Sequence, residues 1–163
     1  MDNLSYKILE SYFQSNSLVD NQILSYNDFV TFGIQEIIDQ NSTLEVPGYT
    51  LKFGPVYLSA PQIIEDDRKV HSLTPMDARL RNLSYDTCVC CDLKEQYYAD
   101  DIKEEKIHPM VMLGRIPVMV RSSLCNLSKV RPDERVELGE CKNDQGGYFV
   151  IQGKERVLVA QMR

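Results

Sequence analysis

Between residues 3 and 14, Leu4, Ile8 and Tyr12 recur at every fourth position, and Leu9 and Phe13 widen the stripe. Apolar residues at this spacing share one face of an α-helix. A first amphipathic helix is therefore predicted over 3–14, ended by Asn16-Ser17. A second is predicted over 21–39, where Ile23, Phe29, Val30, Ile34, Ile37 and Ile38 supply the stripe and Asp20 or Asn21 can cap the start. Gly33 weakens it locally, because glycine is a poor helix former. Both helices are expected to pack on the domain behind them.

After Pro47-Gly48 the period shortens to two. Tyr49, Leu51 and Phe53 alternate with Thr50 and Lys52, a strand signal that Gly54-Pro55 interrupts and Val56-Tyr57-Leu58 resumes. Residues 65–69 read as a charged loop. Thr74-Pro75 can cap and start a short helix through Leu80. A strand is expected over 84–93, and the run ADDIKEEK at 99–106 is expected to be a solvated hairpin tip or loop. The most apolar run, 110–120, reads as a buried strand that bends or lies at an edge at Pro117, whose nitrogen carries no hydrogen. One helical turn is expected within 128–140. Residues 148–151 read as a strand, Gln152-Gly153-Lys154 as a turn, and 157–159 as the returning strand. The fold class is α+β: two N-terminal helices followed by a largely antiparallel sheet. The helical segment is placed at 1–40 and the sheet domain at 41–163.

The chain of 163 residues is 43% hydrophobic, enough for one domain with a real core. No apolar run reaches the roughly 20 residues that span a bilayer. The N-terminus lacks a basic start followed by an apolar stretch, so no secretory signal is expected. The compartment is expected to be reducing. Net charge is −6, which argues against a protein that simply coats nucleic acid. The charge is uneven, however. Residues 1–110 carry 9 Lys/Arg against 18 Asp/Glu, and residues 111–163 carry 9 against 6. Phosphate contacts are therefore expected from the last third.

Five cysteines are present. Cys88, Cys90 and Cys91 are bunched and no second pair matches them, so buried thiols are favoured over a zinc site. On a strand, Cys88 and Cys90 would share one face and Cys91 the other. His71 and His108 are the only histidines, and neither falls in a motif for nucleophilic catalysis. Gly146-Gly147 has no phosphate-loop spacing around it and reads as a backbone turn. Arg79 and Arg81 would point about 200° apart on a helix, and a structural role anchoring carboxylates or carbonyls is favoured for them. Arg115 and Arg121 flank the apolar run, and for them anchoring and nucleic-acid contact both stay open.

Three blocks carry more. They are Ala78-Arg79-Leu80-Arg81-Asn82-Leu83-Ser84-Tyr85; Gly114-Arg115-Ile116-Pro117-Val118-Met119-Val120-Arg121-Ser122, with Cys125 and Leu127; and Glu140-Cys141 with Gly146 to Ile151 and Gly153 to Gln161. In this order and spacing they resemble the second-largest, β-like subunit of eukaryotic-type DNA-directed RNA polymerase, RNA polymerase II in particular. The resemblance covers nearly the whole chain. Two positions depart from it: the family often has Asn where this chain has Gln152, and Pro where it has Gln145. A large DNA virus would suit this divergence as well as a nuclear enzyme.

The resemblance implies that 41–163 is the first part of the protrusion domain, one wall of the nucleic-acid cleft, completed in the family by a later part of the same subunit. It implies the largest subunit among the partners, and a DNA template and RNA:DNA hybrid as ligands. It implies template-directed nucleotidyl transfer with Mg²⁺ held by the largest subunit, so this chain is expected to hold no cofactor and no catalytic residue. Location would be the nucleus, or a virion or cytoplasmic viral factory. Arg156 and Gln161 match positions facing the cleft, with Lys154 and Arg163 as weaker candidates. Arginine can bond phosphate in a bidentate fork, and glutamine can donate to phosphate or sugar without reading sequence. The alternative for Arg156 is a surface pair with Glu155 or Glu140. Arg163 follows a strand-like run without a terminating signal, so the chain is expected to be a piece of something longer. Two other readings stay open: a free-standing protrusion-derived module that binds polymerase partners, and a thiol or zinc protein.

Overall fold

The computed structural model describes residues 3–99, 102–159 and 161. Helix α1 spans Asn3–Ser15. Helix α2, Asp20–Asp28, runs through a π-helical turn, Phe29–Gly33, into α3, Ile34–Gln40. The wider π turn reduces the drift of about 40° that each four-residue step makes in a regular helix. Tyr26, Val30 and Ile34 thereby stay on one buried line, while Phe29, Phe32 and Ile37 are exposed. Gly33 suits the turn, since a Cβ there would lie 3.1 Å from the Phe29 ring.

Four strands form the main antiparallel sheet. Strand β1, Thr43–Val46, turns through Pro47-Gly48 into β2, Tyr49–Leu58; the sheet order is then β5, Asp86–Ala99, and β6, Ile102–Pro117. Gly54-Pro55 is a bulge within β2, where the register shifts between Phe53 and Val56. The bulge frees the Val56 N–H, which donates to Gln35 Oε1 of α3 at 2.8 Å and so docks sheet to helix. Two short hairpins complete the β structure: β3, Gln62–Ile64, with β4, Val70–Ser72, and β7, Phe149–Ile151, with β8, Lys154–Arg156. Helix α4, Pro75–Leu80, opens with the expected cap. Thr74 Oγ1 accepts the Asp77 N–H at 3.1 Å, and the Asp77 carboxylate accepts the Thr74 N–H. Helix α5, Pro132–Glu137, is the helical turn expected within 128–140.

Four expectations are corrected. First, the charged run is mostly strand: residues 102–106 belong to β6, and residues 100 and 101 lie outside the described residues. Polar side chains pair across this hairpin, Lys94 with Glu105 at 2.8 Å and His108 with Glu95 at 2.8 Å, so charge stabilises the strand rather than melting it. Second, the apolar run at 110–120 is not a buried strand. Met110, Met112 and Leu113 are exposed because β6 is the outermost strand, and burial begins only at Val118, after Pro117 ends the strand. Third, the final hairpin closes sooner. Gln152 and Gly153, at φ +50° and +73°, make a two-residue turn that pairs Ile151 with Lys154. The returning strand is therefore 154–156, and Val157, Leu158 and Val159 are exposed. Fourth, the stripe of α1 is not packed: Leu4, Ile8, Leu9, Tyr12 and Phe13 are all exposed.

The core has two adjoining parts. Tyr26, Val30 and Ile34 meet Val89, Met119 and Phe149 in one. The other gathers Leu73, Ala78, Tyr85, Val118, Val120, Cys125, Leu127 and Val150. Backbone bonds lace this second part together: Tyr85 N–H to Val150 O, Val118 N–H to Tyr85 O and Val120 N–H to Tyr148 O, each 2.8 Å. The three sequence blocks therefore meet in one place, and each contributes buried residues to the core there.

Buried phenols give this core an alkaline limit. Burial raises Tyr26 from 10.0 to about 12. Burial also raises Tyr85, next to the Cys125 thiol, and Tyr148, whose hydroxyl bonds Asp144. A raised folded-state pKa contributes stability that is present below the unfolded value and lost as pH climbs through the folded one. The denaturation midpoint is thus expected to fall from about pH 10 to about pH 12, and Tyr26→Phe to flatten part of that slope.

Candidate nucleic-acid interface

The turn of the β7–β8 hairpin is clamped at the end of α4. The Gly153 N–H donates to Leu83 O at 2.9 Å, and the Gln152 N–H to Ser84 Oγ at 3.1 Å. The contact is close: a Cβ on Gly153 would fall 2.8 Å from Asn82 Oδ1 and 3.1 Å from Arg79 O. Only a residue without a side chain, at positive φ, fits between them.

Strand β8 leaves this anchor with alternating side chains. Lys154 and Arg156 lie on one face and Glu155 on the other. Glu155 is held by Arg79, whose guanidinium reaches three partners: Nε to Glu155 Oε1 at 2.9 Å, Nη1 to Glu140 Oε2 at 2.9 Å, and Nη2 to the Tyr148 hydroxyl at 2.6 Å. The Tyr148 hydroxyl in turn donates to Asp144 Oδ2 at 2.5 Å. Burial works against the Arg79 cation, but its bond to Glu140 and the surrounding negative groups outweigh it and raise its pKa. The alternative reading of Arg156, a surface pair with Glu155 or Glu140, is not what forms: Arg79 bonds both of those residues instead.

The anchoring role favoured for Arg81, and left open for Arg115 and Arg121, is present. Arg81 pairs with Glu65 at 2.6 Å, on a different side from Arg79. Arg115 pairs with Asp86 at 2.5 Å, and Arg121 donates to Asp144 O at 2.7 Å. Arg131 pairs with Glu134, Lys142 with Asp133, and Arg135 donates to Val130 O. Most of the basic excess of the last third is therefore engaged inside the fold. Among the described residues, the cations of that third with no such partner are Lys129, Lys154 and Arg156. The fold brings Lys154 and Arg156 together on one exposed face of β8. Gln161 is exposed beyond that strand, and Arg163 lies outside the described residues.

The role favoured for Arg79 from the sequence, anchoring carboxylates, is present in its bonds to Glu140 and Glu155, but sequence reasoning did not link it to this hairpin, and it did not consider Lys129. The cysteines alternate as expected, Cys88 and Cys90 half-buried and Cys91 buried, all as free thiols. Among the described residues, no three His, Cys, Asp or Glu side chains are gathered so as to hold a metal ion, and no helix is long and apolar enough to cross a membrane.

The family model described as "RNA polymerase beta subunit" matches residues 17–163. The chain belongs to that family. A probable DNA-directed RNA polymerase II subunit RPB2 homolog of Invertebrate iridescent virus 3 is 40% identical, over 96% of this chain and 14% of the viral protein. DNA-directed RNA polymerase II subunit 2 of Arabidopsis thaliana is 35% identical over 96% of this chain and 15% of its own length. DNA-directed RNA polymerase subunit Rpo2 of the archaeon Saccharolobus shibatae is 35% identical over 96% and 14%. The chain spans about one seventh of the relatives it matches. The matched span takes in α2, the sheet and the β7–β8 hairpin, with all three motif blocks.

Proposed function

We propose that this chain is part of a DNA-directed RNA polymerase, where it forms one wall of the nucleic-acid cleft and touches DNA or the RNA:DNA hybrid without reading sequence. The observation that carries this reading is the pair of uncommitted cations, Lys154 and Arg156, on an anchored strand of a beta-subunit-family chain whose other basic residues are mostly engaged. Such cations contact phosphate backbones, which position a nucleic acid without specifying it. That suits an enzyme that must hold every sequence. Gln161 and Arg163 would extend the strip. The partners would be the other polymerase subunits, the largest among them. The chemistry, nucleotidyl transfer with Mg²⁺, belongs to the largest subunit. The compartment would be the nucleus, or a virion or viral factory if the source is a virus.

Two measurements test this. The purified chain is expected to incorporate no nucleotides on a primed template, and synthesis by it alone would refute the division of labour. In an assembled polymerase, Lys154→Ala with Arg156→Ala is expected to weaken binding to an RNA:DNA hybrid scaffold. The dependence of log affinity on log salt should become shallower by roughly 0.7–0.9 per lost contact. An unchanged slope would remove the two residues from the interface.

A further inference from the structure

A carboxylate inside a phosphate-binding strip is out of place on charge alone. Glu155 sits between Lys154 and Arg156, where its negative charge should repel the ligand proposed above. Its geometry gives it another purpose. Side chains on a strand alternate, so fixing Glu155 on one face fixes the direction of its two neighbours on the other. Glu155 is fixed: Arg79 Nε reaches Oε1 at 2.9 Å, and the same guanidinium is already bound to Glu140 and to the Tyr148 hydroxyl. Glu140 is 5% exposed, so Arg79 is anchored in the core rather than floating at the surface. A three-residue strand that is exposed along its length needs such a fastening, because few ladder bonds hold it.

We infer that Arg79 and Glu155 are a positioning pair that aims Lys154 and Arg156 at the nucleic-acid backbone. The inference rests on the cleft-wall reading. The pair touches no ligand itself. Arg79 supplies a fork whose three directions fix the rotation of α4's last turn against the hairpin, and Glu155 carries that orientation into β8. Lysine at 79 would keep the charge but offer one ammonium where three planar donors now act.

The test uses the assembled polymerase and its affinity for an RNA:DNA hybrid scaffold. Glu155→Ala is expected to weaken binding by about two- to fivefold, the range set by one exposed ion pair. Charge alone predicts the opposite sign, since removing a carboxylate beside Arg156 should tighten binding. Glu155→Gln, which keeps an acceptor for Arg79 Nε, is expected to recover most of the affinity. In a Lys154→Ala, Arg156→Ala background, Glu155→Ala is expected to have no further effect, because nothing is left to aim. Arg79→Lys, with Glu140 still facing a cation, is expected to reproduce the Glu155→Ala loss.

Tighter or unchanged binding by Glu155→Ala overturns the inference. So does a loss that persists in full in the Lys154→Ala, Arg156→Ala background, which would mark a general structural defect. If the Lys154→Ala, Arg156→Ala protein itself binds as the parent does, the cleft-wall assignment of this strand fails instead.

Discussion

Tyr85→Ala is expected to lower the unfolding free energy by about 3–5 kcal/mol, the range for truncating a large buried aromatic residue. Tyr85 is fully buried. It touches all three sequence blocks: it lies in the first, its carbonyl accepts the Val118 N–H of the second, and its N–H donates to Val150 O of the third. The hydroxyl adds a polar tie, accepting the Asn126 N–H at 2.9 Å and donating to Cys125 Sγ at 3.4 Å. Asn126 then reaches Pro61 O and Leu73 O, fixing the segments on either side of the β3–β4 hairpin. Truncation leaves a cavity at this crossing. Tyr85→Phe keeps the volume and leaves the Asn126 N–H unpaired, at a cost of about 1–3 kcal/mol. Chemical denaturation of the chain, or of the subunit containing it, measures both. A loss below about 1 kcal/mol for Tyr85→Ala, no more than an average point mutation causes, would move the centre of the core elsewhere.

Gly146→Ala is expected to cost about 2–5 kcal/mol, the sum of a backbone and a steric effect. The residue sits at φ +76°, where a side chain costs roughly 1–2 kcal/mol. A Cβ there would also lie 2.4 Å from Val120 O and 2.8 Å from Arg121 Cβ, an overpacking of about 1–3 kcal/mol. The first of those neighbours is backbone and cannot rotate away. Gly147→Ala meets a similar conflict with Val19 at 2.8 Å, at the start of α2. Gly48 separates the two effects. It lies at φ +91°, and a Cβ there would meet nothing within 4 Å, so Gly48→Ala should show the backbone effect alone. Equal losses at Gly48 and Gly146, read from denaturation midpoints, would refute the steric part.

The glycine pair and the capped helix show how much of the fold was legible in the sequence. Thr74-Pro75, Pro47-Gly48, Gln152-Gly153 and Gly146-Gly147 were readable because their constraints are local: a cap, a fixed φ or a positive φ acts within a few residues. The three blocks likewise announced the family, and the matched span of residues 17–163 bears that out. Exposure was harder to read. The run at 110–120 is apolar apart from Arg115, yet its first part is exposed on the outermost strand and its last three residues are buried. Hydrophobicity does not say which strand ends a sheet. The charged run at 99–106 read as a loop or hairpin tip because the partners of its strand residues, Lys94 for Glu105 among them, lie across a strand pair rather than next to them in sequence.

The candidate interface divides along the same line. Family, α+β class, turn chemistry and the concentration of positive charge in the last third follow from residue identity and short-range geometry, and all were present in the sequence. Which cations stay free was settled in three dimensions. Arg79 meets Glu140, Tyr148 and Glu155 at separations of 61, 69 and 76 residues, and no local rule links positions so far apart. Once those long-range pairs form, they engage the two acidic residues that were the alternative partners of Arg156, and Arg156 and Lys154 are left exposed on an anchored strand.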